Sequence, residues 1–284
     1  MKKICFVCDW GETSHSLFQR YSKQTPNQNG VWNDLQGTAN HSEADYIVIM
    51  DGAPKNFEID DWSKVIYFQR EPMKQKYWMD HNFPSDIFFD GRYENFHNVV
   101  VWWVDISFNK LVNVPYSKKT KNISTITSGA RVLKEHHQRL DFLSRISKDV
   151  DIDVYGRGVL PYIERDRYRG SLNYNGNCKF LGHYKYHNSL VLENTLLHNS
   201  WSEKPADSFL SWSRPIYWGA NNFNEYFPDK SYVQLDSDLT NVSSQEFKEA
   251  LEQEICLESL KEARNLILYH YQIWASVEKV IKER

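Results

Sequence analysis

Short apolar runs alternate with polar, glycine- and asparagine-rich stretches along the first part of the chain. The runs Lys3–Cys8, Asp45–Met50, Lys64–Phe68, Ile87–Phe89 and Val99–Val104 are rich in Val, Ile and Tyr. Continuous apolar runs of this length suit strands covered on both faces. The polar segment Asn113–Asn122, with Pro115 and clustered lysines, reads as a linker or a domain boundary. After it the rhythm restarts with a strand over Ile123–Thr127 and an amphipathic helix over Leu133–Ile146. A strand over Val150–Tyr155 ends at Gly156, and a short one covers Leu190–Leu192. Ser202 is placed to cap a helix over Glu203–Trp212, with Pro205 tolerated in its first turn. Strands over Pro215–Trp218 and Ser231–Leu235 follow, then helices over Ser244–Ile255 and Leu257–Lys282. This alternation on both sides of a polar linker predicts an α/β chain of two Rossmann-like domains, 1–117 and 118–284, facing a cleft. In such sheets ligands sit beyond the carboxyl ends of the strands, where helix N-termini offer N–H groups to phosphates.

The composition narrows the function classes. With 284 residues, 41% hydrophobic and 25% charged, the chain can bury a real core and has the balance of a soluble globular protein. A net charge of −3 argues against nucleic acid as the main partner, because a phosphate backbone demands a basic footprint. Aromatic residues reach 15%, and core filling is the plainer reading of them, including the Val101-Trp-Trp-Val104 run. Cys5 and Cys8, three apart on a strand, point to opposite faces and cannot clasp one zinc, so free buried thiols and a reducing compartment are expected. No run of about 18 apolar residues could span a membrane. The N-terminal apolar run is too short for a signal peptide's core and is ended by Asp9. A cytoplasmic protein is expected, with peripheral membrane contact left open.

The densest chemistry lies in Tyr184–Asn194, Ser202-Glu-Lys204 and Pro215-Ile-Tyr-Trp-Gly219. A strand delivers Glu193-Asn194 to a loop, and a capped helix then begins with an acid and a base side by side. A carboxylate in a first turn often only complements the helix dipole, but the same place suits an anionic ligand with Lys204 as a mobile ammonium. Other motifs read as decoys. Asp151-Ile-Asp153 and Asp236-Ser-Asp238 have the Asp-x-Asp form of metal-dependent transferases, the first pair sharing one face of a strand. Gly156-Arg-Gly158 lacks the third glycine of a dinucleotide fingerprint. His136 and His137 sit one step apart on a helix, too close for a shared one-face metal site, and are expected to face solvent or line the cleft edge.

Together these strings resemble the donor-binding signature of the family-10 α-1,3/1,4-fucosyltransferases. The resemblance extends without a gap from Arg139 to Gly158 and includes Val65-Ile-Tyr-Phe-Gln-Arg-Glu-Pro72, which is similar to the family's strand ending in a catalytic glutamate. It runs over about residues 120–236, is patchy before them and thin after. It implies a GT-B architecture and an inverting, metal-independent transferase that needs no cofactor and moves L-fucose from GDP-β-L-fucose to a hydroxyl of an oligosaccharide or glycoconjugate, with α-1,3-type linkage. It implies Glu71 as the general base, Arg139 and Lys204 as contacts to the donor diphosphate, and Asn194 and Glu203 as holders of sugar or ribose hydroxyls. Ser202, as the capping residue, and Tyr155 and Gly156, at the strand-to-turn junction, complete the implied donor set, and Arg131 is a rival to Arg139. One departure stands out. Ser200 occupies the place of a family tyrosine, with Trp201 beside it, so a different nucleotide-sugar donor is an alternative. A catalytically inactive glycan- or nucleotide-binding module is the alternative from another class.

Overall fold

The computed structural model describes residues 1–55, 57–70, 88–90, 100–101, 104–172 and 178–284. The chain forms two compact units, Met1–Val101 with Ser107–Asn113 and Leu268–Arg284, and Trp102–Ile106 with Val114–Ile267.

In the first unit, β1 (Lys2–Cys8) leads to α1 (Ser14–Ser22), whose cap Thr13 accepts the Ser16 N–H. A small hairpin, β2 (Val31–Trp32) and β3 (Leu35–Thr38), precedes β4 (Tyr46–Met50), β5 (Val65–Gln69) and β6 (Phe88–Asp90). A short helix, α2 (Phe108–Asn113), also belongs here. The described strands lie in the order β2-β3-β1-β4-β5-β6, parallel except for β2 against β3. Winding therefore reverses between β1 and β4. Both faces of β1 are covered: Cys5 and Val7 join Ile49, Val65 and Tyr67 on one side, while Phe6 meets Tyr21 edge-on at 4.8 Å on the other. The thiols of Cys5 and Cys8 are free and buried, and burial raises both pKa values. The expected strand over Val99–Val104 falls partly on Val99, which lies outside the described residues. Val100 makes one parallel bridge to Gln272, Val101 and Val104 are buried, and Trp102 and Trp103 lie outside the described residues.

The second unit contains β7 (Lys121–Ile126), α3 (Lys134–Asp149), β8 (Ile152–Tyr155), α4 (Cys178–Tyr184), β9 (Tyr186–Leu192), α5 (Glu203–Leu210), β10 (Arg214–Trp218), β11 (Val233–Gln234), α6 (Ser244–Glu252) and α7 (Leu257–Leu266). Its described strands are all parallel, in the order β11-β10-β9-β7-β8. The chain thus enters at β7, winds outward to β8, then crosses back to β9 and beyond. That crossing is a topological switch point, the place where doubly wound sheets bind ligands. Leu190 and Leu192 pack with Phe142, Leu143 and Ile146 of α3 on one face, together with Phe247 and Leu251 of α6.

The polar stretch Asn113–Asn122, read as a linker or a domain boundary, contains a boundary between the units: Asn113 ends a segment of the first, and from Val114 onward the chain is built into the second. Trp212 Nε1 donates to Val114 O at 2.9 Å and Tyr184 Oη to Pro115 O at 3.1 Å. Lys119 is buried and donates to Tyr184 O at 2.7 Å and Ser211 O at 3.2 Å, serving carbonyls at the ends of α4 and α5 that those helices leave open. Burial pulls its ammonium down to about 7. At the other end, the expected helix over Leu257–Lys282 breaks. After α7 comes a π-helical turn, Ile267–Tyr271, and Gln272 caps a new helix, α8 (Ile273–Glu283), by accepting the Trp274 N–H at 2.8 Å. Segment Leu268–Arg284 belongs to the first unit, so the second does not run to residue 284. The cause is apolar: Trp274 is fully buried, edge-on to Phe6 at 5.1 Å, and its indole N–H donates to Tyr21 O at 2.8 Å. Among the described residues no helix is long and apolar enough to cross a membrane.

Candidate donor site at the end of the second sheet

Beyond the end of β9, Glu193 and Asn194 point to opposite faces, as consecutive residues of an extended chain must. Glu193 shares its side with Tyr217 and Gly219. A Cβ on Gly219 would lie 2.7 Å from Glu193 Cγ and 2.2 Å from Tyr217 Oη, so only glycine fits there. The Glu193 carboxylate is 3% exposed and meets the start of α5. Ser202 N donates to its Oε1 at 2.8 Å and Ser202 Oγ to its Oε2 at 2.6 Å. Lys204 Nζ donates to Oε2 at 3.1 Å and to Ser202 Oγ at 3.2 Å. Ser202 also accepts the Lys204 N–H at 3.2 Å, the N-cap bond expected from the sequence. Burial lowers the Lys204 pKa, but the charges of Glu193 and Glu203 outweigh it and the net shift is upward.

Asn194, on the α3 side, receives a hydrogen bond from Arg139 Nη1. The second arm of the guanidinium, Nη2, donates to Ser128 O at 3.2 Å and Ser128 Oγ at 3.1 Å in the loop after β7. Arg139 is therefore held by the loops that follow the two strands flanking the switch point. It is 2% exposed, and no described carboxylate ion-pairs with it. Its Nε has no hydrogen-bond partner among the described residues. Burial pulls its pKa down to about 10, against the opposing charge of Glu193. A buried cation without a paired anion is costly, and a bound anion removes that cost.

Most of the predicted donor residues meet here. Arg139 and Asn194 form one hydrogen-bonded group and Ser202 and Lys204 a second, organised by Glu193; the two adjoin through the neighbouring residues Glu193 and Asn194, and Glu203 begins α5 beside the second. Gly156 acts through its backbone. At φ +141° it lets the loop after β8 pass so close to the loop after β7 that a Cβ would lie 1.6 Å from Thr127 O. Tyr155 is not brought into either group, because its hydroxyl pairs with that of Tyr186 at 2.9 Å. Arg131 is occupied elsewhere, pairing with Asp141 and lying 4.8 Å from the Tyr162 ring centroid. Trp201 is buried edge-on against Phe227 at 5.0 Å and Tyr226 at 5.9 Å.

Glu71 lies outside the described residues. The strand leading to it is held by Asp51, a buried residue at φ 60° that accepts the Arg70 N–H at 2.5 Å and takes Tyr67 Oη on its carbonyl at 2.8 Å. The two members of Asp151-Ile-Asp153 have separate cationic partners. Asp151, outside β8, pairs with Arg167, and Asp153 takes Lys121 and Arg169 at 2.5 Å each.

Sequence reasoning missed Glu193, Ser128 and His136. Strand alternation could have separated Glu193 from Asn194 and sent it toward Ser202. Ser128 acts partly through its carbonyl and leaves no sequence signal. His136, expected at solvent or a cleft edge, is only 9% exposed, whereas His137 is exposed. It turns inward because its Nδ1 accepts the N–H groups of Val132 at 3.2 Å and Leu133 at 3.3 Å, closing the start of α3.

Comparison with known proteins gives the family and the fold. Residues 116–281 match the family model described as glycosyltransferase family 10 (fucosyltransferase), C-terminal region. No curated protein sequence matches the chain. Among solved structures, an α1,3-fucosyltransferase with GDP-fucose is 16% identical over 99% of this chain and 90% of its own, with a TM-score of 0.46. The same type of enzyme with GDP gives 14% identity, coverage of 97% and 92%, and a TM-score of 0.45. A DNA-modifying β-glucosyltransferase is 9% identical over 99% of this chain and 98% of its own, with a TM-score of 0.51, a likeness of fold. The family match covers more than half of the sequence, and the chain belongs to glycosyltransferase family 10, as a glycosyltransferase of the GT-B fold.

Proposed function

We propose that this chain transfers L-fucose from GDP-β-L-fucose to a hydroxyl of an oligosaccharide or glycoconjugate, with inversion, α-1,3-type linkage and no metal ion. The observation that carries the reading is Arg139, a buried guanidinium at the switch point with no ion-paired carboxylate among the described residues. It suits the diphosphate of a nucleotide sugar, and the nearby ammonium of Lys204 adds a second cation. Two fixed cations can offset the charge that develops on a departing GDP, which is the work a divalent ion does in other transferases. Asn194 and Glu203 orient hydroxyls of the donor. Glu71 takes the proton from the acceptor hydroxyl as it attacks the anomeric carbon.

The test is transfer from GDP-fucose to lactosamine-type and other glycans in the presence of EDTA, with linkage and anomeric configuration determined. Transfer that requires an added divalent ion, or retention of configuration, overturns the mechanism. Glu71→Ala should lose turnover while GDP still binds; a wild-type rate in that variant removes Glu71 as the base. The position of Ser200 favours a second donor reading, because the family's tyrosine is absent there and Trp201 is committed to packing. A panel of GDP- and UDP-sugars separates the two.

A further inference from the structure

The ring of His136 has a fixed proton. Its Nδ1 faces two backbone N–H groups, of Val132 and Leu133, and these can only donate. Nδ1 is therefore an acceptor, and the neutral ring carries its hydrogen on Nε2. That Nε2 is buried and has no hydrogen-bond partner among the described residues. Asn194 lies near enough to favour the charged ring without meeting hydrogen-bond geometry, while burial and the charges of Arg139 and Lys204 hold the pKa below the usual histidine value. The balance favours the neutral ring, in agreement with what Nδ1 requires. Three residues along α3, the Nε of Arg139 is also buried without a partner. Two inward donors on one helix, both more than nine-tenths buried, lack acceptors at the same place. Buried N–H groups are rarely left so unless a ligand supplies the acceptor.

We propose that His136 is a further donor-binding residue, its Nε2–H donating to an oxygen of the nucleotide diphosphate beside Arg139. The proposal rests on the donor-site reading above. It gives the imidazole two separable roles: Nδ1 caps α3, and Nε2 grips the ligand. A neutral donor adds direction to the site without adding charge, and its orientation is set before the ligand arrives.

The roles can be parted by substitution. Asn places an acceptor near the position of Nδ1, and Gln places an N–H donor near that of Nε2. Binding of GDP, UDP and inorganic pyrophosphate is measured by calorimetry for the wild type, His136→Asn and His136→Gln, with thermal midpoints for all three. The expected result is that His136→Asn melts close to the wild type but loses about 10- to 100-fold in affinity, the size of a hydrogen bond to a charged group. His136→Gln melts lower yet binds more tightly than His136→Asn. Wild-type affinity in a folded His136→Asn overturns the proposal, as does a loss of affinity that only follows the loss of stability in both variants. If the wild type binds UDP or pyrophosphate but not GDP, the GDP reading fails and the His136 comparison proceeds with the ligand that binds. If it binds none of the three, both fall.

Discussion

Replacing Lys204 by methionine tests whether the start of α5 is held by the Glu193 pair and whether the same ammonium also serves the donor. Methionine keeps the length and the apolar stem but removes the charge. Among the described residues, the Glu193 carboxylate, 3% exposed, then keeps the two donors of Ser202. Breaking a buried ion pair from one side costs about 3–5 kcal/mol. Here the Lys204 side chain is 22% exposed and Ser202 still satisfies part of the carboxylate, so a loss of about 2–3 kcal/mol is expected. At about 2–4 °C per kcal/mol for a domain of this size, the melting midpoint falls by roughly 4–12 °C. Glu193→Gln alone should also destabilise, because it strands the ammonium. The double variant Lys204→Met with Glu193→Gln removes both charges and should recover at least about 1 kcal/mol relative to the sum of the single changes.

Affinity for GDP should behave differently from stability in this cycle. If Lys204 contacts the diphosphate, the double variant stays about 10-fold or more weaker than the wild type even though its stability has partly returned. Urea unfolding and GDP titration on the four proteins complete the measurement. Strict additivity of the unfolding free energies would refute the structural pairing. Full return of GDP affinity in the double variant would refute Lys204 as a ligand contact.

Three further outcomes follow from the geometry. Arg139→Lys keeps the charge but cannot reach Asn194 and Ser128 with two arms at once, so GDP affinity should drop by about 10-fold or more, read by the same titration. Gly156→Ala places a Cβ 1.6 Å from Thr127 O at a φ of +141°, and should cost about 3 kcal/mol or more in urea unfolding and loosen the Ser128 loop. Asp153 is buried, which alone would raise its pKa, but hydrogen bonds from Lys121 and Tyr186, the charge of Lys121 and Arg169 lower it overall. Its carboxylate thus stabilises the fold above the unfolded-state value of about 4 and loses that effect as pH falls through the lower folded value. Asp153→Asn should be about 1–2 kcal/mol less stable than the wild type at neutral pH, with the gap closing below about pH 4.

The strands of both sheets were legible because most are covered on both faces and read as unbroken apolar runs, as β1, β5 and β10 do. The β2–β3 hairpin was not, since Val31–Trp32 and Leu35–Thr38 are too short and too polar to stand out at a sheet edge. The break between α7 and α8 left no mark either. No glycine or proline falls between Leu257 and Arg284, and the helix ends where Trp274 finds an apolar surface in the first unit. Within the site, the family resemblance pointed to Arg139, Asn194 and the Ser202–Lys204 turn. The anion that organises that turn, Glu193, depended on which side of the sheet each neighbour faces. The buried state of His136 depended on two backbone donors that no residue type encodes.

Glu193 and Asn194 explain why the two cations of this site are not equivalent. Both residues leave the same strand, but alternation sends the carboxylate toward α5 and the amide toward α3. Lys204 therefore meets a full negative charge and is compensated before any ligand arrives. Among the described residues, the hydrogen-bond partners of Arg139 are neutral oxygens of Asn194 and Ser128, which orient the guanidinium without pairing its charge. An incoming diphosphate gains most from the uncompensated cation, while Lys204 offers a directed donor whose charge is already shared. The loops after β7 and β9 can supply both because the chain reverses its winding between those strands. The helix that follows each strand then lies on the opposite face from the other, with the open end of the sheet between them.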